Sequence, residues 1–538
     1  MAFPRIRAVR VKLSMRIRQA VTIEPLKVEV REVEIPAPAA NQILVECEYS
    51  AISAGTELAD LAAQSVPAGS PSAFRPLPLS AWSMEARLTL VRHAKQSLDL
   101  QYYLLQNDMT GHTLLRAVRD AAQRGVRVRI LVDDLYTAQS DRMLLALEAY
   151  PNIEVRLFNP FPAGRAFGWS RWTFALADFA RVNHRMHNKL LIADGAFAVA
   201  GGRNIADEYF FSSKDGNFVD FDLLLAGAAV PQLAAIFDRY WNSLRVYQLK
   251  QLEPDRDKPD DARAAFEELS SDAKDAFPPL APDKVDLLGF RSLGNDIGTA
   301  PLKMLGGTIE VFSDDPEKAS GRSEGIEDPT TVTSHVIRSI AEAKSEVVAA
   351  SPYFVPGERG MKGLRAVREK NVHVEILTNS LASNDEPLAT AAYSRYRKPL
   401  LKMGVELYET DSSQLKHDKL FSTALRASVG RSHSKLIVID RHLTFVGSMN
   451  LDFRSSRLNT ELGMLVESTE LAEDVLRLKE YVKSVGSFRL RLAPDGEQVQ
   501  WVGSEDGKET VYDDDPGVGF GTRLEVWLLS PFVSESLL

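Results

Sequence analysis

The sequence predicts an α/β fold: two homologous domains, each a mixed sheet flanked by helices, related by a pseudo-two-fold axis and preceded by a short β-rich appendage. Three observations carry this. One pattern, H-x-K-x4-D-x6-G-x2-N, is written twice, at 187–204 and 433–450, with its histidines 246 residues apart. The strand-like run VRVRIL at 126–131 is answered by VHVEIL at 372–377, and Asp133 and Asn379 each stand 54 residues ahead of their motif histidine. A repeat that keeps register over such a span means two copies of one structural unit. Finally, strand-like and helix-like stretches alternate through both halves, as layered α/β domains require.

Taken in order, residues 1 to about 60 differ from the rest. PLKVEVREVEIPAPAANQILVECEYSAISAGTEL alternates like strands but is broken by Pro36, Pro38 and Asn41. It resembles the opening of the GroES-like domain of medium-chain zinc dehydrogenases, yet no G-x-G-x-x-G fingerprint follows, so no nicotinamide-binding domain is expected. Two or three strands alone are marginal in water, so 1–65 is read as an appendage. The Pro-, Ser- and Ala-rich stretch 62–78 reads as a linker. From there helix 84–96, strand 98–105, helix 113–124 stopped by Gly125, strand 126–132, helix 142–149 and strand 153–158 build a first domain over 66–250. The charged, Pro-containing stretch 250–282 reads as an exposed connection with a short helix, assigned as 251–282. Helix 332–343, strand 346–351, helix 360–370 and strand 372–377 then repeat the order within a second domain, 283–538.

Composition limits the function. With 45% hydrophobic and 25% charged residues the chain is an ordinary globular one, and a net charge of −9 offers no basic field, so no nucleic-acid partner is expected. A single cysteine, Cys47, excludes an internal disulfide framework. No run of 18 apolar residues exists; 223–237, interrupted by Pro231 and Gln232, reads as a strand entering a packed helix. The basic start MAFPRIRAVRVKLSMRIRQAV lacks a continuous apolar core, so no secretory signal is expected. These features predict a cytoplasmic protein whose membrane contact is peripheral. The segment 161–182 mixes Phe161, Phe167, Trp169, Trp172 and Phe174 with Arg165, Arg171 and Arg181, which suits either a membrane interface or a buried hairpin beside the site.

The repeated pattern has a chemical reading. In a strand, positions i and i+2 share a face, so His187 with Lys189, and His433 with Lys435, point the same way. The apolar runs that follow suit a strand buried on both faces. Asp194-Gly195 suits a tight hairpin turn, and the return strand brings Gly201, where backbone can approach a ligand, and then Asn204 beside the histidine. Gly447 and Asn450 repeat this. Each copy thus gathers an imidazole, an ammonium and an amide, a set suited to phosphate: charge and N–H donors for the non-bridging oxygens, and a nucleophile or proton carrier. Asp194 and Asp440, at the far strand end, either orient a histidine or tie down the hairpin. The nine histidines form no helix-borne metal pair, and no metal or cofactor is expected.

With these residues in hand, the chain resembles the phospholipase D superfamily. Both HKD motifs match, as do SLDLQYYLLQNDMTG, GVRVRILVDD, GGRNIADEYF and GSMNLDFRSSRLNTELG. The resemblance, closest to bacterial cardiolipin synthases without N-terminal membrane helices, covers roughly 73–538. It implies a phosphatidyltransferase making cardiolipin through a phosphohistidine, with a hydrolytic phospholipase D as the alternative and a nuclease a more distant one. It implies His187 as nucleophile and His433 as general acid/base, with Lys189, Lys435, Asn204 and Asn450 on phosphate. It also implies Glu208 and Glu461 as acids near the opposite histidine, with Gly201, Gly447, Ser448, Tyr102 and Tyr353 as supporting or substrate-lining residues. The implied partners are phosphatidylglycerol, with phosphatidylethanolamine as a second candidate donor, at the inner membrane surface.

Overall fold

The computed structural model describes residues 14–24, 27–36, 57–137, 140–161, 178–252, 258–273, 277, 280–298, 301–320, 328–411, 429–505, 508–519 and 521. Cys47 and the aromatic residues Phe167, Trp169, Trp172 and Phe174 lie outside them. The chain forms two compact units, Met1–Ala54 and Gly55–Leu538. In the first, β1 (Ser14–Glu24) and β2 (Lys27–Pro36) pair antiparallel, with an irregularity between Thr22 and Glu24.

The second unit begins with β3 (Ser72–Leu77), β4 (Ser97–Tyr102), β5 (Arg127–Asp133), β6 (Ile153–Phe158), β7 (Lys189–Ala193), β8 (Phe197–Gly201), β9 (Gly216–Val219), β10 (Asp222–Gly227) and β11 (Val246–Gln248). It continues with β12 (Leu305–Ser313), β13 (Glu346–Ala350), β14 (His373–Asn379), β15 (Glu406–Thr410), β16 (Val429–Ser432), β17 (Leu436–Ile439), β18 (Leu443–Gly447) and β19 (Leu462–Glu467), then β20 (Ser487–Leu492), β21 (Val499–Glu505) and β22 (Lys508–Tyr512). The first half is ordered β6-β5-β4-β7-β8-β10-β3, and the second β15-β14-β13-β17-β18-β19-β12. In each, the first three strands run parallel and the other pairings are antiparallel. Strand β11 extends the first sheet beyond β6, and β20, β21 and β22 extend the second beyond β15.

The halves repeat to the residue. Leu190 faces Ala200 in one motif hairpin and Leu436 faces Val446 in the other; Ala193 pairs with Leu98, and Ile439 with Val347. The equivalent strands β3 and β12 then pair antiparallel with each other, Leu305 on Phe74 and Gly307 on Ser72. Like edges meeting antiparallel is the contact a two-fold relation produces.

Strand β7 shows why the apolar runs are continuous. Leu191 and Ala193 join a core under helices Ser80–His93 and Met109–Gln123, while Leu190 and Ile192 face a second core with helix Ala229–Trp241. That second core also takes Val438, Val446 and Met464 and, from helix Thr469–Gly486, Leu471 and Val475, so the two halves share it. Each fully buried Leu or Ile contributes roughly 1.5–3 kcal/mol.

The stretch read as a linker, 62–78, is core structure. Helix Glu57–Ser65 buries Leu58, Leu61 and Ala62, and β3 is buried along its whole length between β10 and β12. Pro76 is tolerated because β12 pairs only with Ser72–Phe74, leaving the strand a free edge at the proline. Helix Pro259–Leu269 realises the short helix expected in the connection, and its Phe266 packs into the first core. Leu293, Leu302 and Met304, which the sequence assigned to the second domain, pack there too. The strand entering a helix at 223–237 is β10 followed by Ala229–Trp241.

Candidate active site

Each motif histidine stands just before its strand, and three kinds of contact fix it there. The first comes from the strand next door. Asp133, at the end of β5, accepts from Met186 N at 2.8 Å, and Asn379, at the end of β14, accepts from Ser432 N at 3.0 Å. Their shared spacing of 54 residues to the histidine thus has a structural cause: each pins the residue preceding it. The second contact crosses to the other half. His187 N donates to Thr460 O and His433 N donates to Val219 O, both at 2.8 Å. Met186 bridges Thr460, and β16 pairs in parallel with β9, so the segment leading to each histidine lies along the segment leading to the opposite half's acid.

The third contact is that acid. His187 Nδ1 lies 2.9 Å from Glu461 Oε2, and His433 Nδ1 lies 2.6 Å from Asp220 Oδ2. Glu461 therefore stands at the opposite half's histidine, where the resemblance places an acid. Its counterpart is Asp220, not Glu208. Gly201 pairs with Asp222 and Gly447 with Gly463, so Asp220 and Glu461 each lie two positions ahead of the residue facing the motif glycine. Glu208 sits mostly buried in a short 3-10 turn, and none of the hydrogen bonds to His433 comes from it. Asp220 lies sixteen residues after Asn204 whereas Glu461 lies eleven after Asn450, a difference of spacing that hides the match in the sequence. Counting back from strands β10 and β19 is the signal that reveals it.

The motif glycines serve this exchange. A Cβ on Gly201 would lie 2.5 Å from Phe221 O, one on Gly202 2.1 Å from Asp220 Oδ1, and one on Gly447 2.5 Å from Leu462 O. The close approach expected of Gly201 and Gly447 is thus to the neighbouring acid-bearing strand. Ser448 replaces Gly202 in the second half and donates to Glu461, which also accepts from Ser455 Oγ at 2.7 Å.

Lys189 Nζ donates to His187 O at 2.6 Å, and Lys435 Nζ donates to His433 O at 2.6 Å while lying 2.9 and 3.1 Å from the two ring nitrogens. Asn204 and Asn450 are buried beside them, each with a side-chain oxygen lacking a partner among the described residues. The motif aspartates are elsewhere. Asp194 accepts from the backbone N–H groups of Lys95, Gln96 and Ser97, and Asp440 from those of Lys344, Ser345 and Glu346. Of the two roles expected for them, theirs is tying the hairpin to the start of β4 or β13. Asp194 and Gly195 have φ of 53° and 63°, Asp440 and Arg441 50° and 57°, the left-handed pair a tight hairpin turn uses.

Aromatic residues complete the walls. Tyr102 stands opposite Lys189 in the ladder, but it is fully buried and its hydroxyl accepts from Arg87 Nε at 3.1 Å, so it lines no cleft. Its neighbour Tyr103 meets His187 edge-on at 4.9 Å. Tyr353 donates to Asp385 Oδ1 at 2.9 Å, and the charge of Asp385 acts on His433 and Lys435. Phe161 is buried with Val182 under Arg185 rather than presented outward.

Burial dominates the electrostatics. It pushes His187 down to about 4, with Glu461 opposing and Lys189 and Lys435 adding to it. His433 is pushed well below the usual imidazole range by burial and then by Lys435, Lys189 and His187. Burial lowers Lys435 to about 8 and raises Asp220 to about 6. Glu461 is raised by burial but brought below its ordinary value by His187, Lys189 and Ser448 together. Each lysine's field reaches the opposite histidine, so the two motifs form one electrostatic site. Burial pushes Lys189 well below the usual ammonium range as well. Two neutral imidazoles with Nδ1 engaged, beside two buried lysines, suit nucleophilic attack and proton transfer at one phosphorus.

Comparison with known proteins agrees with this geometry. The family model described as cardiolipin synthase, PLD-like domain matches residues 88–241 and 336–481, one stretch per half. Cardiolipin synthase C of Escherichia coli strain K12 is 37% identical over 467 residues, 86% of this chain and 95% of that one. An uncharacterised protein of Helicobacter pylori strain 26695 is 33% identical over 449 residues, covering 81% and 84% of the two chains. Among solved structures, phosphatidylserine synthase of Haemophilus influenzae Rd KW20 shares the fold, with a TM-score of 0.55 at 14% identity over 88% of this chain and 95% of that one.

Proposed function

Because the chain belongs to the phospholipase-D-like cardiolipin synthase family, we propose that it moves a phosphatidyl group from a donor phospholipid to a glycerol-type headgroup alcohol, giving cardiolipin. It is a phosphatidyltransferase of phospholipase D type acting on phospholipids. The observation that carries the proposed mechanism is the crossed pair of carboxylates, His187 with Glu461 and His433 with Asp220. A carboxylate on Nδ1 holds that nitrogen as the protonated one and leaves the Nε2 lone pair for chemistry.

His187 Nε2 attacks the phosphorus, and the bond to the donor headgroup oxygen breaks as His433, charged to the imidazolium once the anionic phosphodiester enters the site, gives that oxygen its Nε2 proton. The acceptor alcohol then gives its proton to His433 as its oxygen attacks phosphorus, and the P–N bond electrons return to His187. Lys189, Lys435, Asn204 and Asn450 hold the non-bridging oxygens as charge develops. Burial keeps His187 neutral at pH 7, as a nucleophile must be. The donor we propose is phosphatidylglycerol, with phosphatidylethanolamine as a second candidate. No described helix is long and apolar enough to cross a membrane, and the proposed contact with the bilayer is peripheral.

Purified protein incubated with labelled phosphatidylglycerol, with and without phosphatidylethanolamine, tests this. Labelled cardiolipin is the expected product. Phosphatidic acid alone would make the enzyme a hydrolase, and unchanged lipid would overturn the reading.

A further inference from the structure

The two halves repeat closely, but the two histidines meet different neighbours among the described residues: Lys435 Nζ lies beside both ring nitrogens of His433 whereas Lys189 reaches only His187 O, and a tyrosine hydroxyl faces His433 alone. Tyr209, in the 3-10 turn after the first motif, is buried against the second motif's histidine. Its hydroxyl accepts from Asn204 Nδ2 at 2.8 Å and lies 3.5 Å from His433 Nε2, and its ring meets the imidazole edge-on at 5.1 Å. Phe218 packs on the same imidazole at 4.9 Å. Tyr209 follows Asn204 by five positions, and the residue five after Asn450 is Ser455. Ser455 turns away to donate to Glu461 and to accept from Asn450 N. His187 meets a tyrosine too, but Tyr103 presents ring edge, and no hydroxyl contact to His187 Nε2 is recorded among the described residues.

We infer that Tyr209 is a positioning residue for His433, and that it commits the second-motif histidine to the proton and leaves the first-motif histidine free to attack. The inference rests on the transferase reading above. A hydroxyl already accepting from Asn204 has its own proton directed elsewhere, and His433 Nε2, which also lies 3.1 Å from Lys435 Nζ, is an acceptor within its reach. The chain then runs in one sense: Asn204 N–H to Tyr209 oxygen, Tyr209 O–H to His433 Nε2, His433 Nδ1–H to Asp220. A contact of 3.5 Å is long for O–H···N, as such contacts often are before substrate closes a site. Burial raises the phenol well above its ordinary value, so Tyr209 keeps its proton throughout. When the acceptor alcohol loses its proton, that proton goes to His433 Nε2; the alcohol oxygen bonds to phosphorus, and the P–N bond electrons return to His187. In that step Tyr209 rotates from donating to the neutral imidazole to accepting from the imidazolium, and the ring keeps its orientation. A lone pair held by a hydroxyl is a poorer nucleophile than a free one, which is why the asymmetry sorts the two roles.

Tyr209→Phe keeps the ring contact and removes only the hydroxyl. The variant is compared with wild type using phosphatidylglycerol and using a phosphatidyl donor whose leaving group is p-nitrophenolate, which departs without an acid. Expected is a loss of kcat of ~10-fold or more with phosphatidylglycerol and little change in KM, as when general acid–base catalysis is impaired. The hydroxyl bonds both the neutral and the charged ring, so its loss should move the limb of the kcat profile that His433 sets. Labelling of His187 by the p-nitrophenyl donor should stay within a few-fold of wild type. Tyr209→Ser, which places the second half's residue here, should lose both the ring and the proton-handling advantage. Wild-type kcat and an unmoved pH profile in Tyr209→Phe would overturn the inference, as would equal loss of His187 labelling, which marks a merely structural role. Wild-type protein that never labels on histidine would overturn the transferase reading, and this inference with it.

Discussion

Asp220→Asn separates the observed site from the one expected. The amide keeps the size of the side chain but cannot hold His433 as a carboxylate does, so kcat should fall ~10²–10⁴-fold. Glu208→Gln, at the position the resemblance offered, should leave kcat within a few-fold, because His433 Nδ1 is already taken by Asp220 at 2.6 Å. Equal losses in the two variants would return Glu208 to the site. A second residue-scale expectation concerns pH. His187 titrates near 4, below a free imidazole, so it is unprotonated and able to attack throughout the neutral range. Lys435 titrates near 8, below a free ammonium, so its positive charge is lost as pH rises through that value. The kcat/KM profile should therefore fall on its alkaline side by pH 8, Lys189 being pushed well below the usual ammonium range as well. A profile flat to pH 10 would remove the Lys435 charge from phosphate binding.

At the scale of elements, the motif hairpins are held at both ends by different residues. Histidine, lysine and asparagine form the catalytic end; the aspartates anchor the other by capping backbone N–H groups that start β4 and β13. Asp194→Ala and Asp440→Ala should each cost about 1 kcal/mol, as loss of a carboxylate capping largely exposed N–H groups does. The melting temperature should drop while kcat of the folded enzyme stays near wild type; a large loss of kcat at unchanged stability would place the aspartates in the chemistry. Local pattern was a good guide to such elements. Strand 153–158 is β6 to the residue, and the alternation at 126–132 is β5 within one position. It failed at β3, where Pro76 and the serines read as a linker. What makes SAFRPL a strand is two distant neighbours, β10 and β12, and no local periodicity records them.

For the whole molecule, the repeat in sequence already implied two facing halves, because four polar residues and a glycine at fixed spacing survived in both. The halves exchange more than a shared cleft: each lends a carboxylate to the other's histidine. Glu461 was legible from that resemblance; Asp220 was not, since five extra residues between Asn204 and the acid break the spacing. Tyr209 had no signal either, because its value lies in a contact with a residue 224 positions away. A half cut between Gly298 and Pro301 should therefore be inactive alone: one fragment carries His187 without Glu461, the other His433 without Asp220. Phosphatidyl transfer by either isolated fragment would contradict a single site built across the halves.

One site across both halves, with His187 as nucleophile and His433 as proton carrier, makes a covalent prediction. Rapid quenching of the full-length protein with labelled phosphatidylglycerol, followed by peptide mapping under alkaline conditions that preserve phosphohistidine, tests it most directly. The phosphatidyl label should appear on the peptide containing His187, be retained in His433→Ala with a p-nitrophenyl donor and be absent from His187→Ala. Label on the His433 peptide, or turnover without any labelled histidine, would contradict it.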